Sequence, residues 1–169
     1  MNRFLNVSLA LFFALSLSAC AGMGGKIGTS PSGLELPIEK ASLKLVDDAK
    51  SGGYKLVSTE ELFKWTSEKK EIVIIDVLPR DEYDKGHIPG AVNSPLPKTE
   101  KELTPFDSES VLKAAGSDKE KSIVLYCGFV ACRRSHLGAK TLAENGFKNV
   151  SRYPAGITGW KEMGYPVEK

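Results

Sequence analysis

Two short runs constrain the fold of this chain more than anything else in it. Ile72-Val73-Ile74-Ile75 is continuous and β-branched, and Ser122-Ile123-Val124-Leu125-Tyr126 repeats the pattern. Neither alternates polar with apolar, so each predicts a strand buried on both faces, as in a parallel sheet covered by helices. Parallel strands need crossover connections, and the flanking sequence supplies helices for them. Pro37 to Lys50 sets Ile38, Ala41, Leu45 and Ala49 at gaps of three and four, which is one helical face, and Gly52-Gly53 stops it. Tyr54 to Val57 is a short strand candidate. Ser58 and Glu61 have capping-box spacing ahead of Leu62, Phe63 and Trp65. Ser135 to Asn145 is helical by period, with Gly146 as its C-cap, and Asn149 to Tyr153 is a further strand. The order predicts an α/β domain with a mostly parallel central sheet flanked by helices.

In such a sheet, ligands bind beyond the carboxyl ends of the strands. Cys127 stands there, one residue past a buried strand. The segment Cys127-Gly128-Phe129-Val130-Ala131-Cys132-Arg133-Arg134-Ser135 leads from it into a helix. Backbone N–H groups converging at a helix start, with two arginines nearby, favour a thiolate. They should lower the Cys127 pKa from the free value of about 8.5. A thiolate there is a nucleophile and can hold a sulfane sulfur as a persulfide. Asp76 ends a buried strand near this loop and reads either as a residue that orients its amides or as a plain strand-end polar residue, with Arg80 as a further supporting residue. His87 reads as a turn-holding residue, His136 as a solvated helix residue, and Trp65 and Trp160 as core.

Two stretches carry a resemblance to a known family. Asp76 to Asn93, DVLPRDEYDKGHIPGAVN, resembles the signature of the rhodanese-like domain. YCGFVACRRS, followed by LGAKTLAENGFKNV and AGITGW, resembles its active-site loop, following helix and final helix. The resemblance covers Tyr54 to Lys169. It implies a catalytic Cys127, a loop whose amides cradle a persulfide or an oxyanion, and sulfurtransferase activity in many members but not all.

The chain departs from the usual pattern in three ways. Arg134 takes the place of the arginine in an Arg-Ser pair but stands seven steps from Cys127, so the loop is longer by two residues. Leu78 occupies a position where the family often has arginine, with Arg80 two further on. A second cysteine, Cys132, lies inside the loop, as in rhodanese-like proteins with a Cys-x4-Cys loop. The enlarged Cys127-x5-Arg133 spacing also resembles the oxyanion loops of rhodanese-fold phosphatases and arsenate reductases. Tyr126, however, precedes the cysteine where those phosphatases carry His. Cys132 reads as a resolving thiol or as a small loop residue.

The amino terminus reads as a targeting signal. Met1-Asn2-Arg3 supplies a positive charge, and Phe4 to Leu17 is an almost wholly apolar run of 14 residues. That is short of the ~20 residues a membrane span needs. Leu17-Ser18-Ala19-Cys20 resembles the bacterial lipobox, which implies cleavage before Cys20 and its lipidation. Ala21 in place of Asp leans toward the outer membrane. Ala21 to Gly33 is rich in Gly and Ser and predicts a flexible tether. The expected organisation is a signal peptide at 1–19, a lipid-anchored tether at 20–36, a helical extension at 37–53 and a rhodanese-like domain at 54–169.

Composition excludes other classes. Lys plus Arg number 23 against 21 Asp plus Glu, a formal charge of +2 that gives no basic footprint for nucleic acid. Three cysteines are too few for a disulfide scaffold and have no zinc-ligand spacing. The resulting expectation is a lipid-anchored sulfurtransferase of the bacterial envelope, facing the periplasm. Cys127 would pass sulfur from a small sulfur-containing anion to a thiol acceptor. Gly128, Phe129, Val130, Ala131, Cys132 and Arg133 would supply the amides, Arg133 and Arg134 the charge, and Ser135 would begin the helix. No metal or organic cofactor is implied. The alternatives are a Cys127/Cys132 dithiol oxidoreductase, oxyanion chemistry of the phosphatase or arsenate-reductase type, and a non-catalytic sulfur-binding subunit of an envelope complex.

Overall fold

Residues 35–169 are described by a computed structural model. The expected signal segment, Cys20 and nearly all of the tether lie outside them. Helix α1 spans Glu35–Gly52, followed by β1 (Lys55–Leu56) and α2 (Thr59–Ser67). Strand β2 (Ile72–Asp76) leads through a short α3 (Arg80–Tyr83) to β3 (Val92–Asn93). Helix α4 (Pro105–Ala115), β4 (Ser122–Tyr126), α5 (Arg134–Glu144), β5 (Asn149–Tyr153) and α6 (Gly156–Glu162) complete the chain.

The five strands form one sheet in the order β1-β5-β4-β2-β3, with every pairing parallel. The fold is therefore α/β with a parallel sheet flanked by helices. The two β-branched runs are the adjacent central strands β2 and β4, in register from Ile72↔Ser122 to Asp76↔Tyr126. Side chains alternate across the sheet. Ile75, Ile123, Leu125 and Val150 face a core shared with Val111, Leu137 and Leu142 of α4 and α5. Ile74, Val124, Tyr126 and Tyr153 face a second core with Leu62 and Trp160 of α2 and α6. Burying each large apolar side chain contributes roughly 1.5–3 kcal/mol, so both faces must stay covered.

The helix starts follow local chemistry. Ser58 Oγ accepts from the Glu61 N–H at 3.1 Å and caps α2. Thr104 and Asp107 cap α4 reciprocally, with Pro105 at its first position. The sequence reading assigns no element to α4, because only Val111 and Ala115 of its eleven residues are buried and the apolar period is faint. It also passes over β3, a two-residue edge strand.

Candidate active site

Register brings the strand ends level. Tyr126 pairs with both Asp76 and Tyr153, so Cys127 leaves the sheet at its centre. The chain then loops over the sheet edge and enters α5 at Arg134. The start of the loop is fastened from below by α6. Ile157 N–H donates to the Cys127 carbonyl at 2.9 Å and Thr158 N–H to the Gly128 carbonyl at 3.0 Å. Gly156 makes this approach possible: its φ is +63°, and a Cβ there would collide with the Cys127 carbonyl oxygen.

The Cys127 sulfur is buried, with the residue 1% exposed. It lies 3.1 Å from Ser135 Oγ, and its thiol donates to the Cys132 carbonyl oxygen at 3.2 Å. Burial, and then the hydrogen bond to Cys132, push this thiol up. That corrects the expectation of a lowered Cys127 pKa. The loop is not lined by amides alone, because one carbonyl faces the sulfur. Since a peptide's C=O and N–H point oppositely, the Arg133 N–H faces away from Cys127.

The amides divide between the two thiols: that of Ser135 favours the Cys127 thiolate, and those of Arg134 and Gly128 favour that of Cys132. The Cys132 thiol is held well below the usual range by the adjoining Cys127 thiol, then by the N–H groups of Arg134 and Gly128 and the Arg134 charge. Both cysteines are free thiols, Cys127 buried and Cys132 half-buried. Cys132 N–H donates to the Phe129 carbonyl at 2.9 Å, which closes the turn. Phe129 and Val130 present their side chains to solvent, as does Ala131.

Beneath the loop lies a residue the sequence reading missed. Arg152 on β5 is 1% exposed. Its Nη2 donates to the carbonyls of Val130 and Cys132, both at 2.9 Å, and its Nε donates to Ser135 Oγ at 2.9 Å. Among the described residues it forms no ion pair, so its hydrogen-bond partners are neutral. The available signal was strand period: Arg152 shares a face with Val150, the face toward α5, where an unpaired charge needs a reason.

The other expected residues are distributed as follows. Arg133 is committed to α1, with Nη1 3.0 and 2.9 Å from the two carboxylate oxygens of Asp48. Its charge is therefore not free for a donor anion, which corrects the expectation that Arg133 supplies charge to the site. Asp48 is itself held below the usual range, despite its burial, by Lys44, His136 and Arg133. Arg134 Nε is enclosed and has no hydrogen-bond partner. Asp76 is wholly buried, and its Oδ1 accepts from Leu78 N–H at 2.8 Å. It thus closes the turn after β2 and makes no hydrogen bond to the Cys127 loop. Arg80 points to solvent, paired with Asp84, and does not join the site. His136 is 3% exposed and its Nδ1 is 2.9 Å from Tyr54 Oη, which corrects the expectation that it is solvated. His87 bonds the Tyr83 and Glu168 backbones and holds its turn. Among the described residues, no group of three or more His, Cys, Asp or Glu is arranged to hold a metal ion.

An opening of about 370 Å³ leads to Cys132, between Phe129, Lys98 and Arg134. The chemistry this arrangement supports is that of two adjacent thiols. One is buried against a hydroxyl; the other is open to a cationic mouth.

Residues 58–163 match the family model of the rhodanese-like domain. The chain is 32% identical over 108 residues to the thiosulfate sulfurtransferase GlpE of Coxiella burnetii, covering 64% of this chain and 88% of that protein. It is 30% identical over 132 residues to the chloroplastic rhodanese-like domain-containing protein 14 of Arabidopsis thaliana, covering 59% of each. Among solved structures, the polysulfide-sulfur transferase homodimer of Wolinella succinogenes aligns with a TM-score of 0.53 and 26% identity, over 88% of this chain and 93% of that chain. Several curated relatives are longer proteins, and the chain spans 40–59% of their length.

Proposed function

Because the chain belongs to the rhodanese-like domain family, we propose that it is a bacterial envelope sulfurtransferase carrying sulfane sulfur as a persulfide on Cys127. The donor is a small anion, thiosulfate or polysulfide, and the acceptor a thiol. The observation that carries the reading is the setting of the Cys127 sulfur. Cys127 lies one residue past the central strand, its sulfur 3.1 Å from a hydroxyl that Arg152 orients. Arg152 Nε can only donate to Ser135 Oγ, so the hydroxyl proton is left to point at sulfur. A persulfide anion formed on Cys127 would receive that hydrogen bond and the field of a buried guanidinium. Thiosulfate sulfurtransferases among the relatives support the same chemistry. The lipobox-like Leu17-Ser18-Ala19-Cys20 supports anchoring through Cys20, and Ala21 supports the outer membrane, with the domain facing the periplasm. An anchored domain of this kind would meet its thiol acceptor on a neighbouring envelope protein.

The test is intact-mass spectrometry and peptide mapping of the wild-type domain after thiosulfate or polysulfide. The expected result is one added sulfur atom that ends on Cys127 and leaves when a thiol or cyanide is supplied. A protein that takes up no sulfur from either donor ends the reading. The hydrogen bond from the Cys127 thiol to the Cys132 carbonyl, which sets the two free thiols side by side, favours a second one, dithiol–disulfide exchange, and its mark in the same spectrum is the loss of two hydrogens. Membrane fractionation of Cys20→Ala tests the anchor, which is wrong if the wild-type protein is already free in the periplasm.

A further inference from the structure

The two thiols are not equally placed to meet a donor. Cys127 is 1% exposed and its proton is given to the Cys132 carbonyl. Cys132 is half-buried and lines the opening, with Phe129 and Lys98 beside it and the enclosed, unpartnered Nε of Arg134 within the same wall. A dianion entering this mouth reaches the Cys132 sulfur before it can reach that of Cys127. We infer that Cys132 is the entry nucleophile of the sulfur-transfer reaction, taking sulfane sulfur from the donor anion and handing it inward to Cys127.

This inference rests on the sulfur-transfer reading and assigns Cys132 a different part from that of a resolving thiol. In the first step the Cys132 thiolate attacks the outer sulfur of thiosulfate. A bond forms between those two sulfurs, the S–SO3 bond breaks, and sulfite leaves with the electron pair. In the second step the Cys127 sulfur attacks the outer sulfur of the Cys132 persulfide. The new sulfur–sulfur bond is on Cys127, Cys132 departs as the leaving group, and the proton of the Cys127 thiol passes to it. No oxidant or reductant is consumed. The geometry serves both steps. Cys132 lines the opening where the donor arrives, its neighbours Cys127, Arg134 and Gly128 favour its charged form, and a stabilised thiolate is also the better leaving group. The product persulfide then lies on the buried sulfur, away from water and beside Ser135.

The experiment uses thiosulfate as donor and follows sulfur loading by mass and peptide mapping in wild type, Cys127→Ser and Cys132→Ser. Serine keeps the volume, so neither change uncaps the loop. Cys127→Ser is expected to hold one sulfur atom on Cys132, and Cys132→Ser to load Cys127 at least tenfold more slowly than wild type. Absence of an adduct on Cys132 in the first variant, or wild-type loading in the second, overturns the relay. A third measurement needs neither variant. Limiting iodoacetamide near pH 6.5 should label Cys132 of the wild type before Cys127, and labelling of Cys127 first overturns the inference. A wild type that takes up no sulfur at all refutes the sulfurtransferase reading itself, which keeps the two failures apart.

Discussion

Arg152 Nε donates to Ser135 Oγ at 2.9 Å, across the interface between β5 and the first turn of α5. That single contact ties a buried cation to the hydroxyl that touches the candidate sulfur carrier. The same guanidinium holds two loop carbonyls. Arg152→Met should therefore cost stability by roughly 2–3 kcal/mol, the scale of hydrogen bonds to a charged group. It should also raise the pH at which Cys127 becomes alkylatable. Arg152→Lys restores the charge but not the planar fork. It should recover part of the alkylation profile and less of the urea midpoint. Identical pH profiles in all three proteins would leave Arg152 a purely structural residue.

The Asp48–Arg133 pair sets how α1 bears on the loop. Its carboxyl lies below the ordinary value in the folded protein. The pair's stabilisation is therefore present above the unfolded-state pKa of about 4 and is lost as pH falls through the folded value. Asp48→Asn should cost about 1 kcal/mol at pH 7. The difference from wild type should shrink as the pH is lowered below about 4, read by urea unfolding at pH 7 and in acid. The variant also releases Arg133 at the mouth, so KM for thiosulfate should fall several-fold. An unchanged KM would show that the Arg133 charge does not reach the donor.

His136 acts in the same direction, over a higher pH range. Burial, with the neighbouring arginines and despite Asp48, lowers it to about 4. The unfolded chain then binds the proton more readily than the folded one between about pH 6.5 and 4. Stability should fall with acidification across that window, by at most about 1.4 kcal/mol per pH unit from this group. His136→Gln keeps a partner for Tyr54 and should flatten the wild-type slope between pH 6.5 and 5. Parallel slopes in the two proteins would refute the assignment.

Gly156 is the tightest backbone position near the site. Alanine there requires a left-handed conformation and forces a methyl group against the Cys127 carbonyl. Gly156→Ala should destabilise by at least about 2 kcal/mol. It should also slow sulfur loading, because Ile157 and Thr158 can no longer hold the first two loop carbonyls. A variant with wild-type melting temperature and loading would show that α6 does not fix the loop.

Legibility in the sequence tracked how local the responsible physics is. The β-branched runs declare β2 and β4 because a strand buried on both faces has no polar alternation to offer. Ser58 declares α2 because its cap is made three residues away. Helix α4 carries an equally local cap at Thr104, but its faint apolar stripe gives the period little to detect. Cys127 was visible because a cysteine one residue past a buried strand needs no tertiary information to be placed at the ligand-binding end of a parallel sheet.

The charges around that cysteine were not legible, and the reason is distance along the chain. Arg133 sits in the loop by sequence, yet its guanidinium goes to Asp48, 85 residues away. Arg152 lies 25 positions beyond Cys127 in a strand, and only the β4–β5 register brings it under the loop. The sequence by itself determined a parallel α/β sheet, the strand end where chemistry occurs and the two thiols of a Cys-x4-Cys loop, because each follows from side-chain period or adjacency. Tertiary structure alone decided which of those thiols is buried, how the amides divide between them and where the positive charges point. These depend on how a seven-residue loop is folded by α1, α6 and β5, and desolvation and Coulomb energy depend on distances in space that no spacing along the chain encodes.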